Sequence, residues 1–132
     1  MGVFGSLEEA REYFKGDTFA TGNGMELVGI GEGTAKTRMT LDERHLNAEG
    51  GVMGGVIFTL ADFTFAAATN NVHRPTVAMQ VSVNFLSAPK GKTLTAEGRL
   101  IKDGRTSAVA VVSVFDGSGR HVAEFTGTGF KL

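Results

Sequence analysis

The sequence contains no cysteine among its 132 residues. A chain without cysteine cannot form disulfides or bind a metal ion through thiolates. Its N-terminus also lacks the basic segment, apolar stretch and cleavage site of a secretory signal. Together these absences predict a protein of a reducing compartment, most simply the cytoplasm.

An excess of charge of one sign is also missing, because 13 lysines and arginines stand against 14 aspartates and glutamates and neither sign forms a long run. Nucleic acid and anionic membranes select basic stripes, so we expect neither partner. The longest apolar run covers residues 56–68 and is interrupted by Asp62 and by threonines. It falls short of the roughly 20 apolar residues that cross a bilayer, which predicts a core helix and no membrane span.

The length fits one domain over residues 1–132, large enough to bury a core. The spacing of apolar and turn residues predicts four segments in the first half: a short amphipathic helix over 6–15, a hairpin over 25–41, a loop over 42–53 and a long helix from Gly54 to about Asn70-Asn71.

Strand patterns dominate the second half. Residues 77–86 alternate apolar and polar side chains, so one face of this strand is predicted to lie in the core and the other to be at least partly wet. Three more strands are predicted over about 93–102, 106–115 and 121–130, with turns at 103–104 and 116–119. We therefore predict a meander of about four strands, in an α+β fold whose curved antiparallel sheet wraps around the long central helix.

Asp62 is the residue that most needs an explanation, because it lies in the middle of an otherwise apolar helix. Removing a carboxylate from water costs several kcal/mol unless the charge is satisfied or used. A structural interpretation is that threonine hydroxyls or backbone amides of a neighbouring helix hold the carboxylate. A chemical interpretation is that a desolvated carboxylate serves as a base near neutral pH.

The start of the same helix offers a second chemical feature. Free N–H groups and the positive end of the helix dipole lie at Gly54 and Gly55, where they can polarise an acyl oxygen or hold an anion. Asp62 follows Gly54 at a distance of roughly 12 Å along the helix axis, at about 1.5 Å per residue. One small reacting group cannot easily touch both, so the sequence indicates a two-fold dimer with a site at its interface.

Small and polar residues form a stripe along this helix, at Gly55, Thr59, Asp62, Ala66 and Thr69. Their spacing places them on one face, which a cleft or a close helix–helix contact would explain. In the loop before the helix, Asn47 and Gly50-Gly51 are individually typical of a turn.

As a set these residues resemble a family signature. Asn47, Gly50, Gly54-Gly55 and Leu60-Ala61-Asp62 are similar to the N-x-x-G…G-G…L-A-D pattern of hotdog-fold acyl-CoA thioesterases, with the phenylacetate-degradation (PaaI-like) type as the nearest. The hairpin before the motif, the strand 81–86 and the turn 103–105 match the layout of that family. The resemblance implies the hotdog fold, a side-by-side dimer with two interface sites and commonly a homotetramer made of two dimers.

The resemblance also implies roles for individual residues. Asp62 would activate water or attack the thioester carbonyl, and Asn47 of the other subunit would position the water or the thioester. The amide of Gly54 or Gly55 would hold the carbonyl oxygen, where preformed N–H donors stabilise developing negative charge. The expected substrate is a small aromatic or medium acyl-CoA. Coenzyme A is part of that substrate, and no metal or other cofactor is expected.

Five further positions are predicted to contact the substrate. Met53 is a candidate for the lining of the acyl tunnel, and Thr59 and Ala66 lie on the stripe. Lys90 and Arg105 stand beside turns of the strand region and are candidates for contacts with the phosphates of coenzyme A.

Two departures from the family pattern affect the expected activity. Many relatives have histidine immediately before the glycine pair, whereas this chain has Met53, and some hotdog thioesterases carry serine or threonine where this chain has Ala66. Three outcomes stay open: an active thioesterase with altered efficiency or substrate, a slow thioesterase, or a non-catalytic binder of acyl-CoA or acyl groups. A purely structural oligomer, in which Asp62 serves assembly, is a further alternative.

The three histidines do not form a metal site in the sequence. His45, His73 and His121 show no ligand spacing and no supporting acidic cluster, so no metal is predicted. Hotdog dehydratases resemble a different pattern, with a catalytic histidine in or beside the helix. The helix predicted here has none, so a dehydratase is not expected.

Overall fold

The computed structural model describes residues 2–132. The elements in chain order are α1 (Leu7–Phe14), α2 (Thr18–Gly22), β1 (Glu26–Gly31), β2 (Thr34–Thr40), a turn of 3-10 helix (Glu43–His45), α3 (Gly54–Asn70), β3 (Thr76–Phe85), β4 (Thr93–Asp103), β5 (Ser107–Asp116) and β6 (His121–Lys131). The strands form one six-stranded antiparallel sheet in the order β1-β2-β4-β5-β6-β3. The helices predicted over 6–15 and from Gly54 to about Asn70-Asn71 are confirmed as α1 and α3, and the predicted hairpin is confirmed as β1 and β2.

The long helix α3 packs on the inner face of the sheet. Along β5 every second residue from Ala108 to Val114 is buried, while the residues between them are half exposed. Glycine allows the close approach of helix and sheet, because a Cβ on Gly98 would lie 3.1 Å from Thr64 Cγ2 and one on Gly127 would lie 2.8 Å from Phe65 Cε1. The predicted α+β architecture, a sheet around a central helix, is confirmed. Within residues 2–132 no helix is long and apolar enough to cross a membrane.

The order of the strands differs from the predicted four-stranded meander. Strands β4, β5 and β6 form a meander, but β3 pairs with β6 at one edge of the sheet and not with β4. The connection from β3 to β4 runs over residues 86–92 and contains Pro89, so it passes along the end of the sheet and does not form a tight hairpin. The meander prediction is wrong here because strand patterns are local, whereas strand order depends on hydrogen bonds between distant segments.

Strand β3 buries only part of the face that its alternating pattern predicts to lie in the core. Val77, Met79 and Phe85 are exposed, Met79 by as much as 61%, and Val81 and Val83 are only half-buried. The outer edge of β3 has no neighbouring strand in the part of the chain that the structure describes. An apolar strand with unpaired main-chain groups is a surface that proteins normally cover.

Helix α2 has no counterpart among the predicted elements. It comprises five residues, which is too short to show a helical period in the sequence. The helix packs against α3, with Ala20 buried between them. This contact places α2 next to the stripe of small and polar residues on α3.

Candidate active site

Asp62 lies on the side of α3 that faces away from the sheet. Its neighbours Ala61 and Phe63 are buried, while Asp62 itself is half-buried. The hydroxyls of Thr59, Thr64 and Thr69 donate to backbone carbonyls one helical turn earlier, at 2.7, 2.7 and 2.9 Å. None of them holds the Asp62 carboxylate, which makes no hydrogen bond or ion pair with any other residue in 2–132. The structural interpretation of Asp62, as an acceptor satisfied by threonines or amides, therefore finds no support within one chain.

A cavity of about 420 Å³ opens beside Asp62, between α2 and α3. Its apolar walls include the rings of Phe19, Phe58 and Phe63, and its polar lining includes Asp17, Thr18, Thr59 and Asp62. The predicted cleft along the stripe is thus present at Thr59 and Asp62. Ala66 is half-buried one turn further along and does not line this cavity, and Thr69 is buried.

The electrostatic environment of this cavity favours the protonated form of a carboxyl group. Burial raises the pKa of Asp62 above its ordinary value, and the negative charge of Asp17 raises it further. Burial also raises the pKa of Asp17. Lysine, arginine and histidine are absent from the described lining of the cavity. A carboxylate with a raised pKa accepts a proton more readily, which suits it to act as a base near neutral pH.

Asn47 closes the loop that leads into α3. Its backbone N–H donates to the Gly51 carbonyl at 2.7 Å, and its Oδ1 accepts from the N–H groups of Glu49 at 2.9 Å and Gly51 at 3.0 Å. Gly50 has a φ of 82°, which glycine adopts at little cost. The turn interpretation of these residues is confirmed. The bonds use only Oδ1, so the Nδ2 amide, which meets no acceptor in residues 2–132, is available to donate.

The start of α3 presents open N–H groups at the glycine pair. Met53 precedes the helix and makes no side-chain hydrogen bond to it, and the first N–H groups of a helix have no acceptor within the helix. A Cβ on Gly55 would meet nothing within 4 Å, whereas one on Gly54 would lie 3.4 Å from the Phe85 ring. The side-chain direction of Gly55 therefore faces open space. The Met53 side chain beside it is 54% exposed.

The predicted catalytic residues fall into two groups within one chain. Asn47 and Gly54 line a cavity of about 370 Å³ that is closed on its other side by residues 85–89. Asp62 lines the separate cavity beside α2, roughly 12 Å further along the helix at about 1.5 Å per residue. Within one chain the structure brings Asn47 to the start of α3 at Gly54, and Asp62 lies away from both.

The two basic candidates for phosphate contacts lie at opposite ends of β4. Lys90 precedes the strand, and its backbone N–H donates to Asp116 Oδ2 at 2.8 Å. Arg105 follows the strand, and both side chains are exposed. An 11-residue strand is roughly 35 Å long at about 3.3 Å per residue. Lys90 adjoins the cavity of Asn47 and Gly54, which extends to Pro89, and Arg105 does not.

Two of the three histidines, His45 and His121, take part in local structure through their rings. His45 is fully buried, where its Nδ1 accepts from the Asp42 N–H at 2.9 Å and its Nε2 lies 3.2 Å from the Asn23 carbonyl oxygen. His121 Nε2 lies 2.9 Å from Glu124 Oε1 on the outer surface. Across residues 2–132, no three histidine, aspartate or glutamate side chains are grouped so that they could hold a metal ion.

Sequence reasoning missed the contribution of α2 to this site. Asp17, Thr18 and Phe19 line the cavity beside Asp62. Asp17-Thr18 is a pair that commonly starts helices, so it was a possible signal for a short helix after residue 16. No local pattern indicates that this helix packs beside Asp62.

Comparison with known proteins shows similarity along the whole fold. The profile of the thioesterase superfamily matches residues 49–123, which include Asp62 and the glycine pair. A protein of Archaeoglobus fulgidus is 30% identical over 96% of this chain and 83% of its own length. The acyl-coenzyme A thioesterase PaaI of Escherichia coli is 29% identical over 95% of this chain and 90% of its own length.

Solved structures show the same likeness in three dimensions. The Escherichia coli PaaI protein, from the phenylacetic acid degradation operon, superposes with a TM-score of 0.88 at 27% identity and covers 96% of each chain. A hypothetical thioesterase of Streptococcus pneumoniae, solved with coenzyme A, superposes with a TM-score of 0.82 at 29% identity. That match covers 89% of this chain and 94% of the other.

Proposed function

Because this chain belongs to the thioesterase superfamily, we propose that it hydrolyses acyl-CoA thioesters at sites that two subunits build together, with Asp62 as the base. The predicted resemblance to PaaI-like thioesterases, the hotdog fold and the enzyme class are confirmed. The observation that carries the proposed mechanism is the Asp62 carboxylate, which lies in a cavity and serves no bond of the fold.

In the proposed reaction Asp62 takes a proton from water, and the resulting hydroxide attacks the thioester carbonyl carbon. Negative charge then develops on the carbonyl oxygen, where the N–H group of Gly54 or Gly55 donates to it. The carbonyl re-forms as the bond to sulfur breaks, and coenzyme A leaves as a thiolate. The thiolate takes up the proton that Asp62 accepted from water, which leaves Asp62 ionised for the next cycle. These steps use side chains and amides of the protein alone, and coenzyme A enters as part of the substrate.

The separation of the two groups supports a site shared between subunits. One chain holds Asp62 about 12 Å from its own helix start, which is too far for both to act on one carbonyl group. A two-fold dimer in which two α3 helices run past each other in opposite directions would bring Asp62 of one subunit to Gly54 and Asn47 of the other. The exposed apolar edge of β3, with Met79 and Phe85, is the surface on this chain that suits such pairing. Two such dimers would form the proposed tetramer.

Asn47 has a defined function in this arrangement. Its Oδ1 already accepts two bonds of the loop, and its Nδ2 amide, the one donor of the side chain, is left to donate to water or to the thioester of the neighbouring site. The loop bonds hold the side chain in place before substrate arrives, which lowers the entropy that binding has to overcome. We propose that the exposed Met53 side chain and Phe58, which lines the cavity of Asp62, contact the acyl group.

The proposed substrates are small aromatic or medium acyl-CoA thioesters. The test is release of free thiol from a panel of aromatic, short, medium and long acyl-CoAs, measured with a colorimetric thiol reagent. Because the protein has no cysteine, it adds no background signal. We expect turnover that is fastest with an aromatic or medium acyl group. Acyl-CoA binding without turnover of any thioester would contradict the hydrolase and support the non-catalytic binding protein.

The position of the phosphates can be tested at the two ends of β4. We expect Lys90→Ala to raise the KM for acyl-CoA about fivefold, or about 1 kcal/mol, with little change in kcat, because contacts remote from the carbonyl bind substrate and transition state equally. Arg105→Ala removes the same charge at the other end of the strand and is the matched variant. A KM that rises in Arg105→Ala but not in Lys90→Ala would place the phosphates of coenzyme A at the C-terminal end of β4. It would also remove Lys90 from the substrate-binding site.

A further inference from the structure

Asp17 shares the cavity beside α3 with Asp62, and the hydrolysis proposed above assigns it no role. We propose that Asp17 is a positioning residue for this reaction, which acts through Asp62 and sets the pH range in which Asp62 takes a proton from water. The inference rests on the proposed function of Asp62 as the base. It adds a second carboxylate, from a different helix, to the machinery of the site.

The backbone of Asp17 is anchored, while its carboxylate is not used by the fold. Its N–H donates to the Phe14 carbonyl at 3.0 Å, and its carbonyl accepts from the Thr21 N–H at 3.0 Å and the Thr21 hydroxyl at 3.1 Å. An aspartate at the start of a helix normally caps the first N–H groups with its side chain. Asp17 occupies that position in α2 and makes no such bond. Its carboxylate is therefore free to face the cavity.

The basic groups of α1 near α2 are directed elsewhere. Arg11 and Lys15 line a different cavity, on the other side of Phe63, together with Glu26. Arg11 lies 3.9 Å from the Glu26 carboxylate, and Lys15 lies 2.6 Å from the carboxylate of Glu12. Neither cation lines the cavity of Asp17 and Asp62.

Two further charged groups, Arg44 and Asp116, are also engaged elsewhere. Arg44 donates to the Gly22 carbonyl at the end of α2 at 2.9 Å, and its Nε lies 3.3 Å from Asp42. On β5 the buried carboxylate is Asp116, which accepts bonds from the Ser118 hydroxyl and the N–H groups of Lys90 and Arg120. Among the residues that the structure describes, Asp17 and Asp62 thus line one cavity, and no lysine, arginine or histidine lines it with them.

Two carboxylates in one partly dry cavity titrate as a coupled pair, because the charge of one disfavours ionisation of the other. The negative charge of Asp17 accordingly raises the pKa of Asp62 beyond the effect of burial. A carboxylate with a raised pKa is a stronger base, but it becomes active only at a higher pH. Removing the charge of Asp17 is therefore expected to lower the pKa of Asp62, which makes Asp62 a weaker base that becomes active at a lower pH.

The experiment compares the pH dependence of kcat/KM for wild type and Asp17→Asn, with an acyl-CoA that the wild type hydrolyses. We expect the acid limb of the Asp17→Asn profile to shift to lower pH, and the plateau to fall by up to about tenfold because Asp62 is a weaker base. Asn is also suited to the start of a helix, so α2 is preserved. Asp17→Glu keeps the charge and is expected to keep the acid limb of the wild type.

Glu8→Gln is the matched control, because it removes one exposed carboxylate of α1 that pairs with no described cation, and it should leave the profile unchanged. A folded Asp17→Asn whose acid limb coincides with that of wild type would overturn the proposal. Asp17→Ser, which is neutral and also suited to a helix start, repeats the test if Asp17→Asn does not fold. Full activity of Asp62→Asn would instead defeat the proposed base itself. If Asp62→Asn is inactive but the acid limb of Asp17→Asn is not shifted, Asp62 keeps its proposed role as the base and only the role of Asp17 is contradicted.

Discussion

Replacing Asp62 by asparagine is expected to lower kcat for acyl-CoA hydrolysis by about a hundredfold or more, because no carboxylate remains to take the proton from water. Asparagine has the same shape and leaves Phe58, Phe63 and Thr59 around the cavity in place. The KM should change little. The measurement is thiol release by wild type and variant, side by side, at the pH of the wild-type plateau.

The stability of the same variant separates a chemical role from a structural one. Burial and the charge of Asp17 raise the pKa of Asp62 in the folded protein, so the folded state binds a proton more readily than the unfolded chain. The contribution of this group to stability is therefore fully present below the ordinary pKa and is lost as the pH rises through the raised value. At neutral pH the ionised carboxylate destabilises the fold, and Asp62→Asn is expected to melt at the same temperature as wild type or higher.

Thermal unfolding at pH 5 and pH 8, together with sedimentation, provides the control for the activity loss. A variant that melts markedly below wild type or changes its assembly would support a structural acceptor in place of a base. Undiminished hydrolysis by Asp62→Asn would exclude the carboxylate from the proton transfer and contradict the mechanism.

Mixing two inactive variants is expected to restore about a quarter of the wild-type activity if each site takes Asp62 from one subunit and Asn47 from the other. In a hybrid of Asp62→Asn and Asn47→Asp chains, one site carries both defects and the other carries neither. Random reassortment makes about half of the dimers hybrids, and half of the sites in each hybrid are intact.

Asn47→Asp suits this experiment because the loop depends on Oδ1, which aspartate retains as an acceptor for the N–H groups of Glu49 and Gly51. The variant loses the Nδ2 donor and gains a negative charge, which also opposes the negative charge that develops on the carbonyl oxygen. The two chains are unfolded and refolded together, and each chain refolded alone is the matched control. If Asp62 and Asn47 of the same chain acted together, every site would keep one defect, and the mixture would be no more active than its components.

Several features follow from the sequence alone. The residues of α3 are apolar on nearly every side, and a helix of that kind has to be buried whatever surrounds it, so a sheet around a central helix was predictable. The strands β4, β5 and β6 were also predictable, because alternation and turn residues are local signals. Asp62 was also recognisable from a local signal, because it is a single carboxylate in an apolar run.

Other features depend on contacts between segments that are distant in the chain. The place of β3 beside β6, and hence its exposed apolar edge, is set by long-range hydrogen bonds that leave no local pattern. The tertiary structure alone also showed that the Asn47 side chain is held through Oδ1, and that Lys90 and Arg105 lie at opposite ends of one strand.

Some features of the candidate site were likewise predictable from the sequence, and others depended on the tertiary structure. The sequence by itself determined the candidates for the proposed reacting groups, Asp62 and the amides of Gly54 and Gly55, because a lone charge in an apolar run and a glycine pair at a helix start are properties of residue type and order. Only the tertiary structure placed Asp17 of α2 beside Asp62 and separated Asp62 from the cavity of Asn47. The physical reason is that the pKa of a carboxyl group depends on the charges and the water around it in space, and a linear pattern does not record them.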